Sequence, residues 1–273
     1  MTSEEHQIME LTIEPYISNE LYGDSTQKYV ITDDQESLRA AIVRFQPEIV
    51  IHLASFLTSL DDYDTLNKLL DVNIIFLCRL LDTLKDVDLN LFINTGTSAE
   101  YYKGDNNFNP AYLYAATKTA ARFFLDYYSK VYDFKSITVV PYTIYGGKDS
   151  QRKIIDTIYE SLGNEAPVDL SPGEQILDFI HIEDVTDFYV YLITNHEKIK
   201  NHANFHLGTG IGTSLRQLTE MMEKVTGKKA NINWGGKPYR PLDVMYAVAK
   251  NERLDWQPHI FLEKGINLYI DSK

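Results

Sequence analysis

The alternation of apolar runs with helical patterns is the feature that most restricts the fold of this chain. Between residues 36 and 140, short apolar runs alternate with segments whose apolar residues recur at helical spacing. The run at residues 49–54 (IVIHLA) is β-branched and apolar, which is typical of a parallel strand covered on both faces. Strands that alternate with helices predict right-handed crossovers and an α/β fold with a doubly wound parallel sheet.

The predicted elements locate the turns in which chemistry is expected. Helices are predicted over residues 36–45, 65–84, 111–131, 154–162, 185–192 and 215–225. Strands are predicted over residues 49–54, 89–94, 136–140, 176–182 and 205–207. Because ligands bind beyond the carboxyl ends of strands in such sheets, the turns after Ala54, Asn94 and Pro141 are the predicted functional turns.

The pattern also predicts a division into domains. Residues 29–145, with about 176–212, form a predicted Rossmann-like nucleotide-binding domain. Residues 146–175 and 213–273 form a smaller C-terminal substrate-binding lobe. Residues 1–28 are an atypical N-terminal segment, in which residues 9–14 alternate apolar with polar. This alternation predicts an exposed edge strand rather than a buried parallel strand.

Composition excludes several classes of protein. The chain has 273 residues and a net charge of −13, which argues against general binding to nucleic acid or to anionic membranes. Its single cysteine, Cys78, allows no internal disulfide, and the seven histidines show no spacing suited to a metal. No apolar run is long enough to span a membrane, and the N-terminus lacks the pattern of a signal peptide. We therefore expect a cytoplasmic protein without a metal.

Tyr114 and Lys118 are the first candidate catalytic pair, because residues four apart share one face of a helix. A nearby ammonium is expected to lower the pKa of a tyrosine, which could then exchange a proton with a sugar or alcohol oxygen. The chain contains a second pair at this spacing, Tyr246 and Lys250. Only the first has a partner at a strand end: Ser98, in the turn after the predicted strand 89–94. A solvated helix face is the alternative interpretation of either pair.

At this point the sequence resembles a known family. The segments IVIHLA, FINTGTSAEYY, YLYAATK, VVPYTIYGG and LDFIHIEDV follow the order found in extended short-chain dehydrogenase/reductases, with Asn73 in the helix after the first. This family contains NAD(P)-dependent nucleotide-sugar epimerases, dehydratases and reductases. The resemblance covers about residues 28–260 and is closest to 4-keto reductases of the CDP-paratose and CDP-abequose synthase type, which act in deoxysugar biosynthesis.

The resemblance implies roles for individual residues. Ser98, Tyr114 and Lys118 would be catalytic, with Tyr114 as the acid/base and Lys118 also holding the nicotinamide ribose. The cofactor, NAD or NADP, would further contact Leu53, Ala54, Ser55, Tyr142, Thr143 and Ile144. The substrate, a nucleotide-diphosphate sugar, would contact Ser98, Ala99, Glu100 and Arg240. A homodimer through the helices of Asn73 and Tyr114 is also implied.

Departures from the family pattern are as informative as the matches. Family members begin with a strand, a G-x-x-G-x-x-G loop and a helix that bind the cofactor pyrophosphate, and this chain has no such motif. The glycine run 208–212 follows a short strand and could be considered as a substitute phosphate-binding loop. However, the next strand does not end in the acidic residue that would bind the cofactor ribose, which indicates that the run is a structural turn. The resemblance places Ala99 at the aspartate of the Thr-Asp-Glu motif that 4,6-dehydratases carry in this turn. One of the two acidic side chains that carry out elimination is therefore missing.

The sequence therefore predicts an NAD(P)-dependent nucleotide-sugar 4-keto reductase or 4-epimerase that works by hydride transfer. Two alternatives stay open, and the missing glycine-rich loop motivates both. The chain could be a family member that has lost cofactor binding and serves as a partner subunit. It could also be an N-terminally truncated reading of a complete enzyme.

Overall fold

The central feature of the fold is a four-stranded parallel sheet. The computed structural model describes residues 7–12, 27–104, 107–147, 152–250 and 254–273. The sheet consists of β3 (Ile49–His52), β4 (Leu91–Thr95), β5 (Lys135–Pro141) and β9 (Ala203–Leu207), in that spatial order. All neighbouring pairs are parallel, as the alternation of strands and helices predicts. Their carboxyl ends consequently meet at one edge of the sheet.

Helices cover both faces of this sheet. One face packs against α1 (Gln35–Phe45), α3 (Phe76–Leu84) and α4 (Leu113–Val131) through leucine-rich contacts. The other face packs against α6 (Ile182–Asn195). The helix α2 (Tyr63–Leu70) runs through a π-helical segment, Asp71–Ile75, into α3. The predicted doubly wound α/β class is confirmed.

The N-terminal segment departs from its prediction. The strand β1 (Met9–Thr12) pairs in parallel with β2 (Gln27–Val30), and Met9, Leu11 and Tyr29 pack against the core shared with α1. The strand is thus half-buried in a parallel pair, and the expected exposed edge strand is wrong in that respect. Residues 13 and 14 of the predicted strand lie outside the described residues. Among the described residues, β2 and β3 are not paired with each other.

A second group of elements follows β5 and packs around its own core. It contains α5 (Ile154–Ser161), α7 (Leu215–Thr226) and α8 (Leu262–Asp271). Its central strand β8 (Ile176–His181) pairs with β6 (Thr143–Tyr145), β10 (Gly212–Ser214) and β12 (Tyr246–Ala247). The strands β7 (Val168–Leu170) and β11 (Ile232–Trp234) form a separate parallel pair.

The glycine run 208–212 surrounds a buried carboxylate. Asp178 has no exposed surface and accepts hydrogen bonds from Thr209 N, Thr209 Oγ1, Gly210 N and Ala249 N at 2.7–3.1 Å. A Cβ on Gly208 would lie 2.4 Å from Asp178 Oδ2, which explains the glycine at that position. The run therefore builds an internal polar junction, in agreement with the predicted structural role.

Candidate active site

The two candidate catalytic side chains lie buried on one face of α4. Tyr114 is 7% exposed and Lys118 is 2% exposed, and they occupy consecutive turns near the start of the helix. The Ser55 hydroxyl, from the loop after β3, donates a hydrogen bond to the Tyr114 hydroxyl at 3.4 Å. The structure thus places the tyrosine at the carboxyl end of the sheet.

The second tyrosine–lysine pair has no such arrangement. Tyr246 lies in the short strand β12 and is exposed, and Lys250 lies in the segment after it. Because an extended chain rises about 3.3 Å per residue, compared with about 1.5 Å in a helix, a spacing of four does not bring the two side chains together here. Of the two pairs, the one preferred from its sequence context, Tyr114 and Lys118, is the one that is buried at the carboxyl end of the sheet.

The pKa of Tyr114 shifts in the direction opposite to the prediction. Burial raises the pKa of Tyr114 to about 12, while the hydrogen bond from Ser55 lowers it and Tyr112 and Glu100 raise it further. The ammonium of Lys118 is not among the groups that shift it. The expected lowering by Lys118 is therefore wrong, because desolvation disfavours the phenolate. At neutral pH the tyrosine is therefore protonated.

The Lys118 side chain has a pKa close to neutral pH. Burial lowers the pKa of Lys118 to about 8, the charge of Glu100 raises it, and the charge of Arg122 lowers it. Its ammonium also contributes to lowering the pKa of buried His52 to about 4. Within the described residues, the ammonium makes no hydrogen bond. A ligand hydroxyl that reaches it would find an available donor.

Ser98 begins a 3₁₀ turn, Ser98–Glu100, just beyond β4. The side chains of the next two residues are buried. Ala99 packs against Ala111 and Ala115 at the start of α4. Glu100 has no exposed surface, and Arg122 Nε donates to its Oε2 at 2.6 Å. Both side chains are thus enclosed by protein, and the contacts of Ala99 and Glu100 with a substrate stay a prediction.

The predicted cofactor-lining residues surround the carboxyl ends of two strands. Leu53 follows β3 directly and is 62% exposed, Ala54 is half-buried, and Ser55 is exposed. Tyr142, Thr143 and Ile144 follow β5 and are half-buried. Tyr142 is fixed by a hydrogen bond of 3.0 Å between its hydroxyl and His206 Nδ1.

Arg240 lies beside the start of α4, although it is distant in sequence. Its guanidinium carbon is 5.7 Å from the centre of the Tyr112 ring, and that ring stacks with Tyr114 at 6.0 Å. The side chain is exposed, and the Arg240 backbone N–H donates to Asp243 Oδ2 at 3.3 Å. This placement puts a guanidinium near the candidate site, while its contact with a substrate stays a prediction.

Asn73 joins the loop after β3 to the catalytic helix. Its side chain is fully buried, accepts from Phe56 N at 2.8 Å, and donates to Phe56 O at 3.2 Å and to Thr117 Oγ1 at 3.0 Å. Thr117 immediately precedes Lys118. The sequence pattern singled out Asn73, but it could not predict its hydrogen bonds or the π-helical segment around it, because both depend on contacts between segments that are distant in sequence.

The residues present fit one half of a nicotinamide dinucleotide. The nicotinamide and its ribose would lie over the strand ends, against Leu53, Ser55, Tyr142 and the Tyr114–Lys118 face. Near the ends of β3 and β4, the buried atoms His52 Nε2 and Asn94 Nδ2 have no hydrogen-bond partner among the described residues. No glycine-rich phosphate loop occurs in the sequence, and its first 95 residues contain the single glycine Gly23. Which residues hold the pyrophosphate is therefore not defined by a known motif.

Two features that would bear on function are absent from the described residues. No group of three or more histidine, cysteine, aspartate or glutamate side chains is arranged to hold a metal ion. Among the same residues, no helix has both the length and the apolar character needed to cross a membrane.

Fold and site together define a doubly wound α/β protein with a buried tyrosine–lysine pair at the carboxyl end of its parallel sheet. The chain belongs to the NAD-dependent epimerase/dehydratase family, whose sequence model matches residues 3–208. It is 28% identical over 202 residues to a CDP-abequose synthase of Salmonella typhimurium, covering 72% of this chain and 67% of the relative. It is 24% identical over 275 residues to a UDP-glucuronate 4-epimerase of Thermodesulfobacterium geofontis, covering 96% and 84%.

Solved structures show the same fold. A UDP-glucose 4-epimerase from Thermotoga maritima, solved with UDP-glucose, has a TM-score of 0.80 at 20% identity and covers 97% of this chain and 98% of its own. A UDP-glucuronic acid 4-epimerase from Bacillus cereus, solved with UDP-glucuronic acid and NAD, has a TM-score of 0.82 at 20% identity, covering 97% and 90%. The comparisons support the predicted class of activity, an NAD-dependent nucleotide-sugar epimerase or reductase.

Proposed function

We propose that the protein is an NAD(P)-dependent reductase that converts the 4-keto group of a nucleotide-diphosphate deoxysugar to an alcohol. The observation that carries the proposal is the buried Tyr114 hydroxyl at the carboxyl end of the sheet, protonated well beyond neutral pH. A protonated phenol suits the reductive direction, in which the sugar oxygen must gain a proton. The similarity to CDP-abequose synthases supports a CDP-linked sugar.

Each site residue has a defined task in this proposal. Tyr114 donates its proton to the former carbonyl oxygen, and the Ser98 hydroxyl donates a hydrogen bond that polarises that oxygen. Lys118 holds the cofactor ribose through its ammonium, and Arg240 binds the substrate diphosphate with its planar guanidinium. The bound cofactor supplies the hydride. The Ser55 hydroxyl orients the phenol by donating to its oxygen.

The contacts of Glu100 argue against a 4,6-dehydratase. Elimination of water needs acidic side chains that reach the substrate, and Ala99 already removes one. The remaining carboxylate accepts from Arg122 Nε at 2.6 Å and from Thr97 N at 2.8 Å, and it has no exposed surface. A carboxylate bound in this way is not available to move a substrate proton.

A direct assay tests the proposal. The protein is incubated with NADPH or NADH and a CDP-linked 4-keto deoxysugar, and the loss of reduced-nicotinamide absorbance is followed. We expect stoichiometric oxidation of the cofactor with formation of the sugar alcohol. If UDP-glucose and UDP-galactose interconvert instead, without net cofactor consumption, the protein is a 4-epimerase and the reductase proposal is wrong.

One observation favours a second candidate, a family member without cofactor binding. The chain lacks a G-x-x-G-x-x-G motif, and among the described residues β3 pairs on one side only, with β4. A titration followed by reduced-nicotinamide fluorescence separates the two. Saturable binding supports the reductase, whereas no binding at millimolar cofactor supports a partner subunit.

We further propose that the protein forms a homodimer in the cytoplasm. The outward side of α4 exposes Phe123 and Tyr127, at 66% and 60%, and Ile75 on the preceding helical segment is also exposed. Aromatic and aliphatic side chains at helical spacing form a stripe that water solvates poorly. A second copy of the same stripe would bury it in a self-complementary interface.

Light scattering after size exclusion tests the dimer. We expect a dimer for the natural sequence and a monomer for Phe123→Glu, because a carboxylate would be buried at the interface. Phe261→Glu is the matched control, since Phe261 is 47% exposed elsewhere, at the start of α8, and should leave the dimer intact. A monomeric natural protein would contradict the proposal.

A further inference from the structure

The turn that carries Ser98 is tied to the catalytic helix by a buried ion pair. Arg122 Nε donates to Glu100 Oε2 at 2.6 Å, and Arg122 Nη2 donates to Glu100 Oε1 at 3.1 Å. Thr97 N donates to the same Oε1 at 2.8 Å. Glu100 lies two residues after Ser98, and Arg122 lies one helical turn after Lys118. The pair thus links the turn of one catalytic residue to the helix of two others.

The contacts of Arg122 extend this link to the end of β5. Arg122 Nη1 donates to Asn204 Oδ1 at 2.9 Å, and Asn204 Nδ2 lies 3.4 Å from His206 Nε2. His206 Nδ1 in turn lies 3.0 Å from the Tyr142 hydroxyl. Burial lowers the pKa of His206 to about 4, so this histidine is neutral and can take part without adding charge. Three elements that line the candidate site share one polar network.

The backbone is shaped around the pair. A Cβ on Gly96 would lie 2.5 Å from Glu100 Oε1 and 2.6 Å from Arg122 Nη2. Real Cβ atoms do not approach polar atoms so closely, so the glycine before the turn leaves the space that the pair occupies. Removing one partner of a buried ion pair strongly destabilises a protein, because the charge of the other partner stays buried and uncompensated.

We propose that Glu100 and Arg122 are positioning residues that hold the Ser98 turn and the Lys118 ammonium in register for the reaction. The proposal rests on the proposed function in that it takes Ser98, Tyr114 and Lys118 as the reacting set. Neither residue of the pair touches the reacting atoms. They act through the turn and the helix that they join, and through their opposite charges beside Lys118.

The charges beside Lys118 give this proposal a specific signature. Among the described residues, the charged or titratable groups that interact with Lys118 are Glu100, Arg122 and His52. Removing the negative charge in Glu100→Gln should lower the pKa of Lys118, and removing the positive charge in Arg122→Met should raise it. A general loosening of the site would instead expose Lys118 and raise its pKa in both variants, because burial is the main cause of its lowered pKa.

The experiment has one arm that does not need turnover. Lysine is labelled at Cε with ¹³C, and Lys118 is assigned by its absence in Lys118→Arg and titrated by NMR in each variant. Lys130→Gln is the matched control, because Lys130 forms an exposed ion pair with Asp126 on the same helix. We expect opposite shifts in Glu100→Gln and Arg122→Met and no shift in the control. Unchanged titration in both variants would overturn the proposal.

The second arm measures kinetics with the proposed keto sugar. Misplacing a catalytic group by about 1 Å can cost about 100-fold in rate, so kcat should fall by that order in both variants with little change in KM. Arg122→Lys keeps the charge but cannot serve Glu100 and Asn204 together, so it should retain the Lys118 titration and lose kcat. Normal kcat in Arg122→Lys would also contradict the proposal. If the natural protein turns over no keto sugar while the opposite NMR shifts occur, the proposed function fails and the positioning pair stands.

Discussion

Replacement of Asp178 by asparagine should be among the most destabilising conservative changes in the chain. The side chain has no exposed surface, and its two oxygens accept from Thr209, Gly210 and Ala249. In Asp178→Asn one oxygen remains for Thr209, while the new NH₂ group faces the backbone N–H groups of Gly210 and Ala249. Two buried donors then lack an acceptor, at about 1–3 kcal/mol each, which gives a loss of about 4 kcal/mol in the free energy of unfolding.

Denaturant unfolding followed by circular dichroism measures this loss. At about 2–4 °C per kcal/mol for a chain of this size, the melting temperature should fall by roughly 8–16 °C. Asp169→Asn is the matched control, because Asp169 is an exposed strand residue with one side-chain hydrogen bond, to Asn233. Its free energy of unfolding should change by less than about 1 kcal/mol. A similar small change in Asp178→Asn would refute the hydrogen-bond argument.

Two further predictions concern the reacting set. Above a pH of about 8, the reductive rate should fall as the pH rises, because Lys118 loses the charge that holds the cofactor ribose while Tyr114 stays protonated up to a pH of about 12. A pH profile of kcat/KM measures this fall. A flat profile up to a pH of about 10 would contradict the role given to Lys118. Gly96→Ala should destabilise the protein by about 1–3 kcal/mol through overpacking and lower kcat, since its Cβ would lie 2.5 Å from Glu100 Oε1. Thermal unfolding and steady-state kinetics check it, and unchanged values in both would contradict it.

Local patterns predicted most of the main sheet and its helices. The apolar runs at β3, β4 and β5 and the helical spacing of α3 and α4 are properties of short segments, so they can be read without tertiary information. The π-helical segment at Asp71–Ile75 was not predicted, because Asn73 makes its bonds to Phe56 and Thr117, which are distant in sequence. The parallel pairing of β1 was missed because alternation of apolar and polar residues does not define a partner strand.

The candidate site shows the same limit at the level of side chains. The spacing of Tyr114 and Lys118 predicted a shared helix face, and the structure places both there. The direction of the Tyr114 pKa shift could not be read from spacing, because it depends on how deeply the rest of the fold buries the phenol. Likewise, Glu100 was assigned to substrate from its motif, whereas its partner Arg122 became visible only when the turn and the helix were brought together.

The measurement that tests the central claim most directly compares the natural protein with Tyr114→Phe in the same assay. Cofactor binding is followed by reduced-nicotinamide fluorescence, and turnover of a CDP-linked 4-keto deoxysugar by loss of reduced-nicotinamide absorbance. Loss of a general acid should lower kcat by about 100- to 10,000-fold, with an unchanged Kd for the cofactor. Undiminished turnover in Tyr114→Phe would contradict the account, since the proton would then come from another group.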